Sequence, residues 1–313
     1  MKNCLNRTIF KLGIIIQLTF ISTLMPHAHA ASLMSDPRVE FKKLIVNSWT
    51  RSSNQSPGMG YVPPFNLELQ PKVLDGLNSD GEVTTTRLEE VISLKVETTH
   101  GEVMLETTIH RPSGSGPFPL LIMNHGKQFG LPSRQARASF LALSHAFVRH
   151  GFAVVIPMRQ GFSNSGGVFR HAGCDTLQTG YMQAEDILAV LKEIRKASWV
   201  DQENILVGGQ SLGGLAALAL GSKEMPGVKG LINFAGGVVI KDETCDWQNQ
   251  LVNAVMHYGQ GNPIPSFWIY GENDSFFDFR FVEHLEKTYR ASGGKSKLHN
   301  VGKFREDAHR LAL

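Results

Sequence analysis

Residues 207–214 read VGGQSLGG, a single serine boxed in by small residues. Before it, NILVGG (204–209) is a short apolar run with the length and composition of a buried strand. After it, SLGGLAALALGSK (211–223) is apolar and rich in alanine and leucine, as a buried helix would be. Gly209-Gln210-Ser211-Leu212-Gly213 therefore fits G-x-S-x-G across a strand-to-helix turn. Such a turn is strained. Glycines at 209 and 213 let strand and helix approach closely, and the serine side chain stands clear of the sheet. The backbone N–H of Leu212 then sits at a helix N-terminus, where it can donate to a developing oxyanion. The plainer alternative is a glycine-rich packing turn; the order strand, motif, small-residue helix favours a nucleophilic Ser211.

The flanking sequence supplies the rest of a fold. VISLKVET (91–98) and EVMLETTIHRP (102–112) alternate in the manner of strands, with His100-Gly101 as the turn of a hairpin. PSGSGPFP is a loop, and LLIMNHG (120–126) opens with a fully apolar strand. Helix and strand then alternate. RQARASFLALSHAFVRHG (134–151) is read as a helix stopped by Gly151, FAVVIPM (152–158) as a strand, and GYMQAEDILAVLKEIRKAS (180–198) as an amphipathic helix. Beyond the serine come the strand VKGLINFAGG (228–237), the helix WQNQLVNAVMHYG (247–259) and the strand SFWIYGEND (266–274). The helix DFRFVEHLEKTYRASGG (278–294) and a more polar strand, KSKLHNVGKF (295–304), follow. Short apolar strands alternating with helices imply an α/β fold, a mostly parallel sheet covered on both faces.

A serine needs a base and an orienting acid, and motifs of this type order them Ser, Asp, His. Asp274 ends the strand FWIYG, at the carboxyl edge where catalytic groups collect in open α/β sheets. Glu272 and Asp278 compete with it; Glu272 is nearer the strand, and Asp278 suits a helix cap. His284, His299 and His309 follow. His284 belongs to a helix and His299 to a strand, whereas His309 lies just past that strand and is the expected base, with His299 second. The second oxyanion donor is expected in the loop after LLIMN: the backbone N–H of Lys127, with Gln128 as alternative. His125 precedes the serine and is read as a hydrogen-bonded loop residue.

NHG (124–126), RQGFSNSGG (159–167), GGQSLGG (208–214), YGEND (270–274) and EDAHRL (306–311) together resemble the α/β-hydrolase superfamily, in its dienelactone-hydrolase-like and prolyl-oligopeptidase-like branch. The resemblance covers roughly residues 88–313. It implies the α/β-hydrolase fold and a serine hydrolase mechanism but leaves the substrate open. It implies for RQGFSNSGG a rim loop of the active site; the alternative is a glycine-rich connection with a buried, salt-bridged Arg159. The sequence departs from the family in three places. True dienelactone hydrolases use cysteine where this chain has Ser211, the residue before the histidine is Ala308 rather than the common glycine, and the sequence stops at Leu313, before the helix that members usually carry after the histidine.

At the other end, Lys2, Arg7 and Lys11 precede the apolar run LGIIIQLTFISTLM (12–25), Pro26 and an Ala28-His29-Ala30 site. This is the layout of a secretory signal peptide over residues 1–30, with an uncleaved anchor as alternative. Residues 31–87 read as an irregular arm, with a short helix conceivable at Asp36–Ser48. Without the leader, Lys plus Arg falls from 31 to 28, equal to the 28 Asp plus Glu, so nothing points to nucleic acid. Cys174 and Cys245 survive processing and are expected to pair in an oxidising compartment; two separate buried thiols are the alternative. The expectation is thus a secreted or periplasmic α/β serine hydrolase with the triad Ser211, Asp274 and His309. It would act on a small ester or acyl substrate, with no stable membrane anchor after processing. No H-e-x-x-h or C-x-x-C pattern suggests a metal, and no G-x-G-x-x-G frame suggests a dinucleotide, so no cofactor is implied. A peptidase of the prolyl-oligopeptidase type and a non-catalytic binding protein on the same fold are the competing functions.

Overall fold

The structure, a computed structural model, describes residues 89–223 and 225–313. The signal peptide, the arm, its conceivable helix and the boundary between residues 87 and 88 lie outside these residues. Eight strands form one sheet: β1 (Glu89–Thr98), β2 (Gly101–His110), β3 (Phe118–Asn124), β4 (Ala153–Pro157), β5 (Val200–Gln210), β6 (Val228–Phe234), β7 (Ser266–Tyr270) and β8 (Ser296–Asn300). Their spatial order is β1-β2-β4-β3-β5-β6-β7-β8. The β1–β2 hairpin turns at Thr99-His100, and β2 lies antiparallel to both β1 and β4. Every other pair is parallel.

Five helices connect the strands: α1 (Leu141–Arg149), α2 (Thr176–Ile194), α3 (Leu212–Gly221), α4 (Trp247–Gly259) and α5 (Phe279–Ala291). Side chains alternate across a strand, and the core divides accordingly. Leu120 and Ile122 of β3, with Ala153 and Val155 of β4, face a core shared with α2, α3, α4 and α5. Leu121, Met123, Val154 and Ile156 face the opposite core, shared with Leu143 and Phe147 of α1 and with Ala308 and Leu311 near the end of the chain. Strands buried on both faces have no polar side to show, hence the continuous apolar runs.

The largest difference from the sequence reading is at the first helix. The helix expected from Arg134 begins at Leu141. Pro132–Arg134 makes one 3-10 turn, and Phe140, at φ 42°, holds a left-handed backbone that breaks any helix running through it. The side chain of Gln135 instead accepts from the Gln128 N–H (2.8 Å) and donates to the Gly126 carbonyl (2.9 Å). Local spacing cannot reveal a segment held by such cross-chain bonds. β3 also starts earlier than read, at Phe118, which pairs with Val200, the first residue of a longer β5.

Candidate active site

β5 ends in the turn that carries Ser211, at φ 54° and ψ −123°. This left-handed backbone is costly for a non-glycine residue. Its neighbours hold it there. The Ser211 N–H donates to the Phe234 carbonyl (3.0 Å), and the Ser211 carbonyl accepts from the N–H groups of Gly214, Leu215 and Gly237. A Cβ at Gly209 would strike the Gly213 carbonyl, and one at Gly213 would strike the Asn124 carbonyl. The glycines of the motif are thus required by close backbone approach, and β3, β5 and α3 meet at the serine.

The other two expected residues converge on it. His309 sits in a 3-10 turn, Ala308–Arg310, and its Nε2 lies 3.0 Å from Ser211 Oγ. Its Nδ1 faces the Asp274 carboxylate, 3.1 Å from Oδ1 and 3.2 Å from Oδ2. Asp274 follows β7; its side chain is fully buried, and Oδ1 also accepts from the N–H groups of Phe276 and Phe277. The rings of Phe276 and Phe277 stand 4.4 and 5.7 Å from the imidazole and cover it. The competing residues lie elsewhere. Glu272 accepts from Asn300, and Asp278 caps α5 through the Arg280 N–H. His299 stacks on Phe267 in the sheet, and His284 lies within α5.

The loop after β3 runs beside the serine. A Cβ at Gly126 would lie 2.9 Å from Ser211 Cβ and collide with Gln210 Oε1. Lys127 and Leu212 both line the cavity over the serine. Among the described residues neither of their backbone N–H groups has a hydrogen-bond partner, whereas that of Gln128 is engaged by Gln135. His125 is buried. Its Nε2 accepts from the Arg159 N–H (3.0 Å), so its Nδ1–H donates to the Gly126 carbonyl (2.8 Å). Burial first, and then the Arg159 charge, push its pKa well below the usual histidine value, so it stays neutral. Arg159 is wholly buried. Burial lowers its pKa to about 10. It donates to the Gln183 amide oxygen (2.8 Å) and the His125 carbonyl (2.7 Å), so RQGFSNSGG anchors the His125 loop. In place of the alternative, a salt-bridged Arg159, the guanidinium donates to these neutral acceptors with the Asp186 charge nearby, and Arg170 is the arginine 3.8 Å from Asp186.

Three residues that tie the site together went unread in the sequence. Gln210 donates from Nε2 to the His309 carbonyl (2.9 Å). Asp307 accepts from the N–H groups of His309 (2.9 Å) and Ser275 (3.0 Å) and from the Ser275 hydroxyl (2.8 Å). Burial alone would raise the pKa of Asp307, but these donors and the nearby His309 hold it below the ordinary carboxylate value. Asn273 reaches the same loop, donating to the Arg305 carbonyl (3.0 Å) and accepting from the Phe304 N–H (2.8 Å). The two cysteines pair as expected: Cys174 and Cys245 form a disulfide joining the loops before α2 and α4.

The family model of the X-Pro dipeptidyl-peptidase (S15 family) matches residues 100–277, more than half of the chain. The chain belongs to the S15 family. This is a family of serine peptidases on the α/β-hydrolase fold, related to the dienelactone-hydrolase-like and prolyl-oligopeptidase-like enzymes, so the chain is a serine hydrolase. The S15 match includes Ser211 and Asp274 and stops before His309. A comparison with curated proteins returns no match. Among solved structures, the chain resembles Pyrococcus horikoshii acylaminoacyl peptidase at TM-score 0.55 and 15% identity, over 72% of this chain and 40% of that one. Est1E from Butyrivibrio proteoclasticus, solved with ferulic acid, matches at 0.52 and 15%, over 70% of this chain and 94% of that one. Porphyromonas gingivalis dipeptidyl peptidase 4 matches at 0.52 and 17%, over 68% and 32%. The S15 chain thus spans less than half the length of these two peptidases. At such identities the likeness establishes the fold.

Proposed function

We propose that the chain is a carboxylic ester hydrolase working through an acyl-enzyme on Ser211. The observation that carries this is the linear array of Ser211 Oγ, His309 and Asp274, with contacts of 3.0 and 3.1 Å. Asp274 accepts from Nδ1–H, which leaves Nε2 free to take a proton. Ser211 Oγ attacks the acyl carbon while its proton passes to His309 Nε2. The carbonyl oxygen becomes an oxyanion held by the N–H groups of Leu212 and Lys127. The intermediate collapses, and His309 returns the proton to the leaving alkoxide. Water, deprotonated by His309, then attacks the acyl carbon; this second intermediate collapses as His309 returns the proton to Ser211 Oγ, and the acid departs.

The S15 match supports a second reading, a peptidase that removes an X-Pro dipeptide. Such an enzyme must hold a substrate ammonium near the scissile bond. Among the described residues the side-chain carboxylate that lines the cavity is Asp307, and three donors from Ser275 and His309 already share its two oxygens. This favours the esterase. The same proposal puts the mature chain outside the cytoplasm, secreted or periplasmic, on the strength of the leader pattern and of a disulfide that oxidising compartments preserve. Intact-mass and peptide analysis of the exported protein after fluorophosphonate treatment tests both points. A single adduct on Ser211 and a chain starting at Ala31 are expected. An unlabelled Ser211 would sink the catalytic assignment, and a retained leader the export assignment.

A further inference from the structure

The cavity above Ser211 has a volume of about 1130 Å³. Phe129, Phe276 and Phe277 supply apolar wall. The charged wall is one-sided: Lys127, Arg137, Lys241, Arg305 and Arg310 line it, against Asp307. Arg137 is neutralised by Glu89 at 2.7 Å. Asp307 is already engaged as described. No ion pair involves Lys127, Lys241, Arg305 or Arg310 among the described residues. Asp242, next to Lys241, turns to the Thr244 N–H and hydroxyl and does not line the cavity.

Two of these cations also rest on aromatic rings. Lys241 Nζ sits over the Phe129 ring, 4.4 Å from its centroid, on an open lip of the cavity where the ring stays 74% exposed. Arg305 holds a left-handed backbone, φ 46°, pinned by Asn273, and its guanidinium lies over Phe304 at 5.1 Å. A non-glycine residue in that region carries a conformational cost that the surroundings must sustain. A cleft lined by one sign of charge focuses its field and raises the local concentration of counter-ions.

We propose that this site selects esters that also carry a free carboxylate, read by Lys241 and Arg305; the Lys127 ammonium is already turned to the Gln128 and Gly130 carbonyls, at 3.1 and 3.2 Å. It discriminates against the free ammonium of an X-Pro substrate. This rests on the ester-hydrolase reading and narrows it. The apolar part of the substrate packs on Phe129 and Phe276, and its carboxylate faces the cationic rim.

Two matched ester pairs test the proposal, each a carboxylate against its uncharged primary amide. Mono-methyl glutarate and methyl glutaramate place the charge on the acyl side. Meta-carboxyphenyl and meta-carbamoylphenyl butyrate place it on the alcohol side. In at least one pair, kcat/KM should favour the carboxylate by about fivefold or more per cation engaged, the scale of a screened charge pair near a surface. The preference should collapse near 1 M salt, where the screening length is about 3 Å. It should also fall toward unity in a Lys241→Gln, Arg305→Asn double variant, asparagine being tolerant of the left-handed backbone. Amides hydrolysed as well as or better than carboxylates in both pairs would overturn the proposal and leave the esterase standing. Failure to hydrolyse any of the four esters, with Gly-Pro para-nitroanilide cleaved instead, would overturn both readings. Cleavage of that anilide beside a preserved carboxylate preference would overturn the exclusion of ammonium substrates.

Discussion

His299 and His309 are the two residues the sequence offers for one role, and their surroundings separate them. His299 pairs across the sheet with Ile269 and stacks on Phe267, so its ring belongs to the sheet. His309 reaches both Ser211 and Asp274 from its turn. His309→Ala should therefore lower kcat by at least about 10⁴-fold, as loss of a triad member does. His299→Ala should stay within about threefold of wild type on a soluble ester, because it removes no group near the reacting atoms. Steady-state kinetics on the two variants decide it, and the reverse pattern would show that the base is misassigned. The residue type and order made this choice legible in the sequence. The role of Gln210 was not legible: it is a variable position of G-x-S-x-G, and its partner, the His309 carbonyl, lies 99 residues further along the chain.

At the level of elements, the sheet was legible because its central strands carry short apolar runs bounded by turn residues, while β1 and β2 alternate as a hairpin does. The hairpin, the serine turn and helices α3 to α5 follow from the same signals. Connections between loops were not legible. The loop after β7 and the loop after β8 are joined by Asp307–Ser275 and by Asn273–Phe304 and Asn273–Arg305, contacts 31 and 32 residues apart from polar side chains to backbone groups, with no periodic signature. This clamp is predicted to set the distance between Asp274 and His309, with Asp307 as a positioning residue. On an uncharged ester, Asp307→Ala should cut kcat about tenfold and leave KM nearly unchanged, since it disturbs the triad and takes only a charge from the cavity wall. Asp307→Asn keeps an oxygen for the two N–H groups and an amide for the Ser275 hydroxyl, and should recover most of the loss. A second readout is pH. The folded pKa of Asp307 is depressed, so its contribution is present above the unfolded carboxylate value and is lost as pH falls through the folded one. The acid limb of the wild-type stability profile should therefore flatten in the asparagine variant. Equal kinetics for the alanine and asparagine variants would show that the clamp does not position the triad.

On the scale of the described molecule, the disulfide is the one covalent tie between distant segments. It closes a stretch of 71 residues that holds α2, β5, α3 and β6, including Ser211. Each cysteine precedes an aspartate that caps the following helix: Asp175 accepts from the Gln178 N–H, and Asp246 from the Asn249 N–H. The loop on the Cys245 side also carries Gly237, Val238, Val239 and Lys241, all in the cavity wall. Two consequences follow from cutting the bond. The unfolded chain regains loop-closure entropy, worth up to about 4 kcal/mol for a loop of this length. For a domain of this size that corresponds to a fall in Tm of about 10 °C. The loop that carries Lys241 also loses its far anchor, so KM for a carboxylate ester should rise more than kcat falls. A Cys174→Ala, Cys245→Ala double variant, followed by thermal melting and by kinetics at a temperature well below its midpoint, separates the two effects. A lower Tm with an unchanged KM would show that the bond stabilises the fold without shaping the wall. An unchanged Tm, with two thiols titrating in unreduced mature wild-type protein, would show that the cysteines do not pair in solution.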